Sequence, residues 1–106
     1  MDLTPTLVQD NERAFSCIFT PDDLCVHAHF PGQPVLPGSF IIGLCVQIIQ
    51  TDFACSAALH ITGFSFRQFA SPGCYDLRVR KEDNTFVCTF AQASAVFARG
   101  RITLCS

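Results

Sequence analysis

Residues 29–38 read His-Phe-Pro-Gly-Gln-Pro-Val-Leu-Pro-Gly, and residues 39–50 continue Ser-Phe-Ile-Ile-Gly-Leu-Cys-Val-Gln-Ile-Ile-Gln. The first stretch is hostile to regular structure. Its prolines lack an amide donor and lock φ, and its glycines loosen the chain between them. The second stretch changes character at once. Phe40 to Ile49 is apolar almost all round, as expected of an element surrounded by protein. Its β-branched residues would suit a buried strand. The length of the run, which continues to about Cys55, favours a helix. Pro37-Gly38 is a suitable lead-in, and Ser39 is placed to cap the first turn.

Both flanks of this segment read as strands. Leu3 to Gln9 and Arg13 to Thr20 flank the turn Asp10-Asn11-Glu12, and Phe15, Cys17 and Phe19 alternate with Ala14, Ser16 and Ile18. Pro21-Asp22-Asp23 is a turn, and Leu24 to Phe30 is short and extended. Beyond Ser56 the chain is all strand. Leu59 to Phe69 comes first, with Gly63 marking a bulge or a close approach. The turn Ser71-Pro72-Gly73 follows. Tyr75, Leu77 and Val79 then alternate with Asp76, Arg78 and Arg80, which predicts one dry and one wet face. Glu82-Asp83-Asn84 turns into Thr85 to Ala93, and Ala95 to Leu104 is the last strand. One apolar helix with a largely antiparallel sheet is an α+β layer architecture. A helix apolar on nearly every side is best covered by a sheet curled around it. No linker, repeat or low-complexity segment interrupts the chain, so residues 1–106 are expected to form one domain.

Composition narrows the function classes. Apolar residues make up 49% and charged residues 15%, with 11 Phe, one Tyr and no Trp. Such an excess fits either a Phe-rich core or a surface hidden against another subunit. The net charge of −2 argues against nucleic-acid binding. Arg78, Arg80 and Lys81 form one basic group and Arg99 and Arg101 another; each is a solvated strand face or a receiver for an acidic carrier protein. No Asp, Glu, Lys or Arg occurs between Asp23 and Asp52. Even so, the helical part of that run is far short of the roughly 20 residues a membrane span requires. The opening residues lack the basic and apolar regions of a secretory leader. The seven cysteines contain no Cys-x-x-Cys pair. A cytoplasmic protein with reduced thiols, most of them small buried hydrophobes, is therefore expected.

The segment His29-Phe30-Pro31-Gly32-x-Pro34-x-x-Pro37-Gly38, followed by an apolar helix carrying Gln47, resembles the 3-hydroxyacyl-acyl-carrier-protein dehydratases of fatty acid synthesis. The likeness extends to Gly63–Cys74, a strand ending in a Pro-Gly turn, and covers roughly residues 7–104. It implies the hotdog fold, a curled antiparallel sheet wrapped around one long central helix. It also implies dimers in which each active site takes its histidine from one subunit and its carboxylate from the other.

The residues themselves suit that chemistry. Eliminating water from a 3-hydroxyacyl thioester needs a base for the proton alpha to the carbonyl, an acid for the departing hydroxyl and a dipole for the thioester oxygen. His29 is the natural base, since its ordinary pKa lies near working pH. The Gly38 amide, at the start of the helix, would meet the developing oxyanion. Pro37, Phe30 and Gln47 are the further substrate-binding candidates; for Gln47, service to a buried backbone group is an equal alternative. No metal and no cofactor is required.

The sequence departs from the family at one decisive position. The family's helix carboxylate falls on Gly43. Asp52 is nine residues further on, about 13 Å along a helix, and is no substitute. A chain with His29 and Gly43 holds half of the catalytic pair. The expectation is therefore a heterodimer with a hotdog partner that supplies the acid, acting on 3-hydroxyacyl groups carried by acyl carrier protein. A homodimer is the alternative and would lack the acid altogether.

Other readings are weaker on chemical grounds. A non-catalytic hotdog subunit that binds acyl chains or stabilises a partner fits the missing carboxylate. A thioesterase would need a carboxylate, and Ser39 lacks the strained setting of a nucleophile. Cys25, His27 and His29 fall on one face of a strand, but no fourth zinc ligand is apparent. His60 has no partner in the sequence and is expected at the surface or lining a cavity.

Overall fold

The computed structural model describes residues 2–20 and 35–105. Its elements are β1 (Asp2–Val8), β2 (Glu12–Phe19), α1 (Gly38–Asp52), β3 (Leu59–Phe66), β4 (Gly73–Glu82), β5 (Thr85–Gln92) and β6 (Ala95–Leu104). All the strand pairings are antiparallel, in the order β1-β2-β4-β5-β6-β3. The helix lies against the sheet, and its inward side chains join those of β2, β4, β5 and β6 in one core. This is the hotdog arrangement expected from the sequence.

Each element follows from its local chemistry. Phe40–Ile49 is helix rather than strand, and the helix ends at Asp52, short of the expected Cys55. Phe53 closes it, and the next residue, Ala54, has φ 51°, a left-handed turn that stops propagation. Pro37, not Ser39, occupies the cap position. Ser39 lies inside the helix, and no side chain caps the first amides. Strand β4 has the predicted parity: Tyr75, Leu77 and Val79 are buried while Asp76, Arg78 and Arg80 are exposed. The Tyr75 hydroxyl donates to the Ser71 carbonyl at 2.6 Å, which ties the strand to its preceding turn. Burial raises the pKa of that hydroxyl.

The core is built from aromatics and thiols. Tyr75 stacks on Phe90 at 4.7 Å and takes Phe97 edge-on at 5.3 Å. Phe19 meets Phe40, Tyr75 and Phe90 edge-on. Fully burying one such side chain contributes about 1.5–3 kcal/mol. Cys17, Cys45 and Cys88 are buried, whereas Cys74 and Cys105 are exposed. The expectation that most thiols are buried thus fails for β4 and the C-terminus, and Cys25 lies outside the described residues.

The two sheet edges differ. Edge strand β1 contains Pro5 and shifts register between Pro5 and Leu7. A proline and a bulge blunt an edge against further pairing. Edge strand β3 shifts register between Ile61 and Gly63, as expected for a bulge near Gly63. The close approach, however, is at Gly100, where an added Cβ would collide with the Phe64 ring. Strand β3 also ends three residues earlier than expected, at Phe66, and leaves Ile61 and Phe66 nearly half exposed.

Candidate active site

The N-terminus of α1 is fastened from two sides. Leu36 donates its amide to the Ala70 carbonyl at 2.8 Å, an isolated bridge between the lead-in and the turn before β4. On the other side the Phe66 ring lies against Gly38. A Cβ at position 38 would come within 2.8 Å of that ring, so a side chain there would displace it. Glycine lets the ring lie this close to the backbone.

Beside Gly38 is a hollow of about 320 Å³. Its walls are mainly apolar, from Leu36, Pro37, Ile41, Phe66 and Phe69, with Ser39 and Gln68 adding polar atoms. The Phe40 and Ile41 amides point back to the Pro37 carbonyl at 3.1 and 3.4 Å. The Gly38 and Ser39 amides stand in the first turn, where no carbonyl within the helix can receive them. No acidic residue occupies that turn, so the positive end of the helix dipole is not offset there. An apolar hollow lined by residues whose amides have no partner among the described residues suits an acyl group whose carbonyl oxygen gains negative charge.

The open face of α1 runs on from this hollow. Gly43 is about 7.5 Å and Gln47 about 13.5 Å along the helix from Gly38. Both are exposed, and a Cβ at Gly43 would meet nothing within 4 Å. The Gln47 side chain makes no hydrogen bond among the described residues. The Gln47 backbone carbonyl accepts a hydrogen bond from Thr51 Oγ1 at 2.8 Å. Gly43 is therefore an open notch among the described residues, on the exposed face of α1.

His29 and Phe30 lie outside the described residues, as do Cys25 and His27 of the possible zinc set. Of the sequence candidates, Pro37 and Gly38 share the hollow, while Gly43 and Gln47 share the helix face beyond it. His60 is exposed on β3. Leu44 is in the core and Phe40 turns to Phe19, whereas Ile41 and Phe66 line the hollow. The sequence reading did not assign Leu36, Gln68, Phe69 or Ala70 to the site. Their signal was the turn at Ser71-Pro72-Gly73, which returns the chain beside Leu36.

Two buried thiols, Cys17 and Cys45, are held in the protonated form. Burial first, then the neighbouring Cys74 and Asp76, pushes Cys17 up to about 12. Cys45 is held well above its ordinary value, first by its hydrogen bond with Cys88 and then by burial. Among the described residues no cluster of His, Cys, Asp and Glu could hold a metal, and no helix is long and apolar enough to cross a membrane.

Comparison with known proteins gives this geometry its relatives. The profile of the ApeI-like family, described as ApeI dehydratase, matches residues 6–101. No curated protein matches the chain. Among solved structures, a chain of the dehydratase heterocomplex ApeI:P from Xenorhabdus doucetiae is 21% identical, with TM-score 0.86 over 100% of both chains. An uncharacterized protein from Erwinia carotovora is also 21% identical, with TM-score 0.76 over 99% of this chain and 97% of that one. The CurJ dehydratase, solved as an inactive histidine-to-phenylalanine mutant with a bound compound, is 22% identical, with TM-score 0.67. That match covers 91% of this chain and 38% of CurJ. At these identities the structures share the fold.

Proposed function

The chain belongs to the ApeI-like dehydratase family, and from that premise we propose that it is one subunit of a two-chain 3-hydroxyacyl-thioester dehydratase. The observation that carries this reading is Gly43 on the exposed face of α1, about one and a half turns beyond Gly38, where an added Cβ meets no described residue within 4 Å. Residues 1–106 act as one hotdog domain in the cytoplasm. The substrate is a 3-hydroxyacyl group on acyl carrier protein, in fatty acid, aryl polyene or polyketide-type synthesis.

In this mechanism His29 removes the proton alpha to the thioester carbonyl. The Gly38 amide hydrogen-bonds the carbonyl oxygen as charge develops on it. Pro37 and Phe30 shape the mouth, and Gln47 orients the substrate further along the helix. The bond from the beta carbon to the hydroxyl oxygen breaks as a carboxylic acid from the partner subunit donates a proton. Water leaves and a carbon–carbon double bond forms. Proton transfer alone balances the step, so no cofactor or metal takes part.

Two features support a hotdog partner. Edge strand β3 is open and carries exposed Ile61 and Phe66, surface that another chain can cover. The related Xenorhabdus protein is itself part of a heterocomplex. The empty notch also favours a second reading, a non-catalytic subunit that binds acyl chains or stabilises a catalytic partner.

One assay separates the two. Dehydration of a 3-hydroxyacyl carrier substrate is measured for the chain alone, for candidate partners alone and for their mixtures. The proposal expects turnover only in a mixture and a loss of at least about 100-fold with His29→Ala. A complex left fully active by that substitution belongs to the non-catalytic reading. Activity of the single chain that survives His29→Ala removes the proposed assignment.

A further inference from the structure

The sheet is divided by charge. Residues 53–75 and 84–106 contain Arg67, Arg99 and Arg101 but no Asp or Glu. They supply β3, β5 and β6, which stand side by side at one end of the strand order. Every acidic residue of a chain with net charge −2 lies elsewhere.

The arginines differ in how they are used. Arg78 pairs with Glu12 at 3.4 Å and Arg80 with Glu82 at 2.8 Å. Arg13 reaches the Asp52 carbonyl and lies 4.9 Å over the Phe53 ring, and Lys81 lies 5.9 Å over Phe86. By contrast, the guanidinium groups of Arg67, Arg99 and Arg101 have no ion pair or hydrogen bond among the described residues. All three line one hollow of about 370 Å³. Pairing of Gly63 with Arg101 and of Ser65 with Arg99 puts these residues on one face of the sheet. The alternate residues Ala98 and Ile102 point into the core, so the arginine face is the outer one. Gly63 leaves the floor of the hollow open.

Residues at the end of β3 lie between this outer hollow and the hollow at Gly38. Arg67 lines it and also a smaller hollow with Phe66, Gln68 and Phe69. Phe66 in turn lines the hollow at Gly38. Neighbouring hollows that share wall residues thus run from the three arginines, past the end of β3, to the helix N-terminus. Unpaired like charges repel in the free protein, and an anionic surface seated on them relieves the repulsion.

We propose that the outer face of β3 and β6 docks the acidic carrier protein that delivers the acyl thioester. Carboxylates of the carrier meet Arg99 and Arg101, and its tethered arm passes Arg67 and Phe66 into the Gly38 hollow. The occupant's identity rests on the dehydratase reading. The continuity with an apolar hollow favours a carrier over a free anion, which has no use for that extension.

The test measures binding of a fluorescent 3-hydroxyoctanoyl acyl carrier protein to the full chain by anisotropy, at low and at raised salt. The expected result is salt-sensitive binding that Arg99→Gln/Arg101→Gln weakens at least tenfold. Arg78→Gln/Arg80→Gln, which removes the same charge from the internally paired group, should weaken it less than twofold. Equal weakening by both pairs, no weakening by either, or no binding by the unsubstituted chain would overturn the proposal. A carrier-free 3-hydroxyoctanoyl pantetheine thioester, given to the chain with its hotdog partner, tests the dehydratase reading alone. No turnover there with carrier binding intact removes that reading and leaves the docking face. Turnover without carrier binding does the reverse.

Discussion

Along α1, the face turned to the sheet holds Ile41, Leu44, Cys45, Ile48 and Ile49, none more than 4% exposed. The face turned away holds Ser39, Gly43, Gln47 and Gln50, all exposed. The first face is close-packed against aromatic and aliphatic side chains of the sheet, so its residues are constrained by volume. The second has no such constraint and includes the notch at Gly43. The difference teaches that stability and chemistry are separable on this helix. One side can be altered for function with little effect on folding, and the other cannot.

The sharpest way to break that separation is Ile49→Ala. Ile49 is fully buried, and its truncation should cost about 2–5 kcal/mol, read as a lower urea midpoint at unchanged slope. Gln47→Ala, two residues away on the open face, should stay within about 0.5 kcal/mol. Similar losses from both would show that the open face is packed after all.

Next in size is Gly43→Glu. There is room for the side chain, and it restores the missing acid within the chain. In a dimer of the variant, the new acid of one copy serves His29 of the other, and 3-hydroxyacyl dehydration should rise on the order of 100-fold above the unsubstituted protein. If the variant dimerises and stays as inactive as the parent, the open face is not the acid half of the site.

The packed face also has a signature in pH. The Cys17 thiol is pushed up to about 12 by burial, and Cys45, on the sheet side of α1, is raised as well. In the unfolded chain both ionise near the ordinary value of 9.0. Above that pH the unfolded state holds fewer protons than the native one, so unfolding becomes easier. The stabilisation is complete below about pH 9 and is lost as pH rises through the folded values, by about 1.4 kcal/mol per pH unit for each thiol. Urea titrations at about pH 8 and about pH 10.5 should show the fall, and Cys17→Ala should make it shallower.

The smallest expected effect is Gly43→Ala. An exposed glycine inside a helix is less favourable than alanine, so this variant should gain about 0.5–1 kcal/mol by the same titration. A loss instead would mean that the notch is occupied by groups outside the described residues.

Much of this was legible in the residues. The alternation in Tyr75–Arg80 specified the buried and wet faces of β4, because successive side chains of a strand point to opposite sides. The Pro/Gly lead-in and the apolar run located the helix, and the motif placed Gly38 at its start. The helix cap was misjudged at Ser39 because a serine near a helix start suits a cap locally, whereas the bridge from Leu36 to Ala70 begins the helix at Gly38. The open face of α1 was hidden by composition. A run that is apolar almost all round does not say which of its small or polar residues the sheet will leave uncovered.

The sequence by itself determined the order of the elements, the periodicity of each strand, the family motif and the absence of an acid at Gly43. These depend on neighbouring residues along the chain and on chemistry that a single side chain either has or lacks. Only the tertiary structure decided that Phe66 presses on Gly38, that Gly43 is an open notch, and that among the described residues Arg78 and Arg80 are paired while Arg67, Arg99 and Arg101 are not. Those facts depend on strand order. Strand β3 pairs with β6 and β2 with β4, between residues far apart in sequence, and that arrangement brings particular rings and charges together.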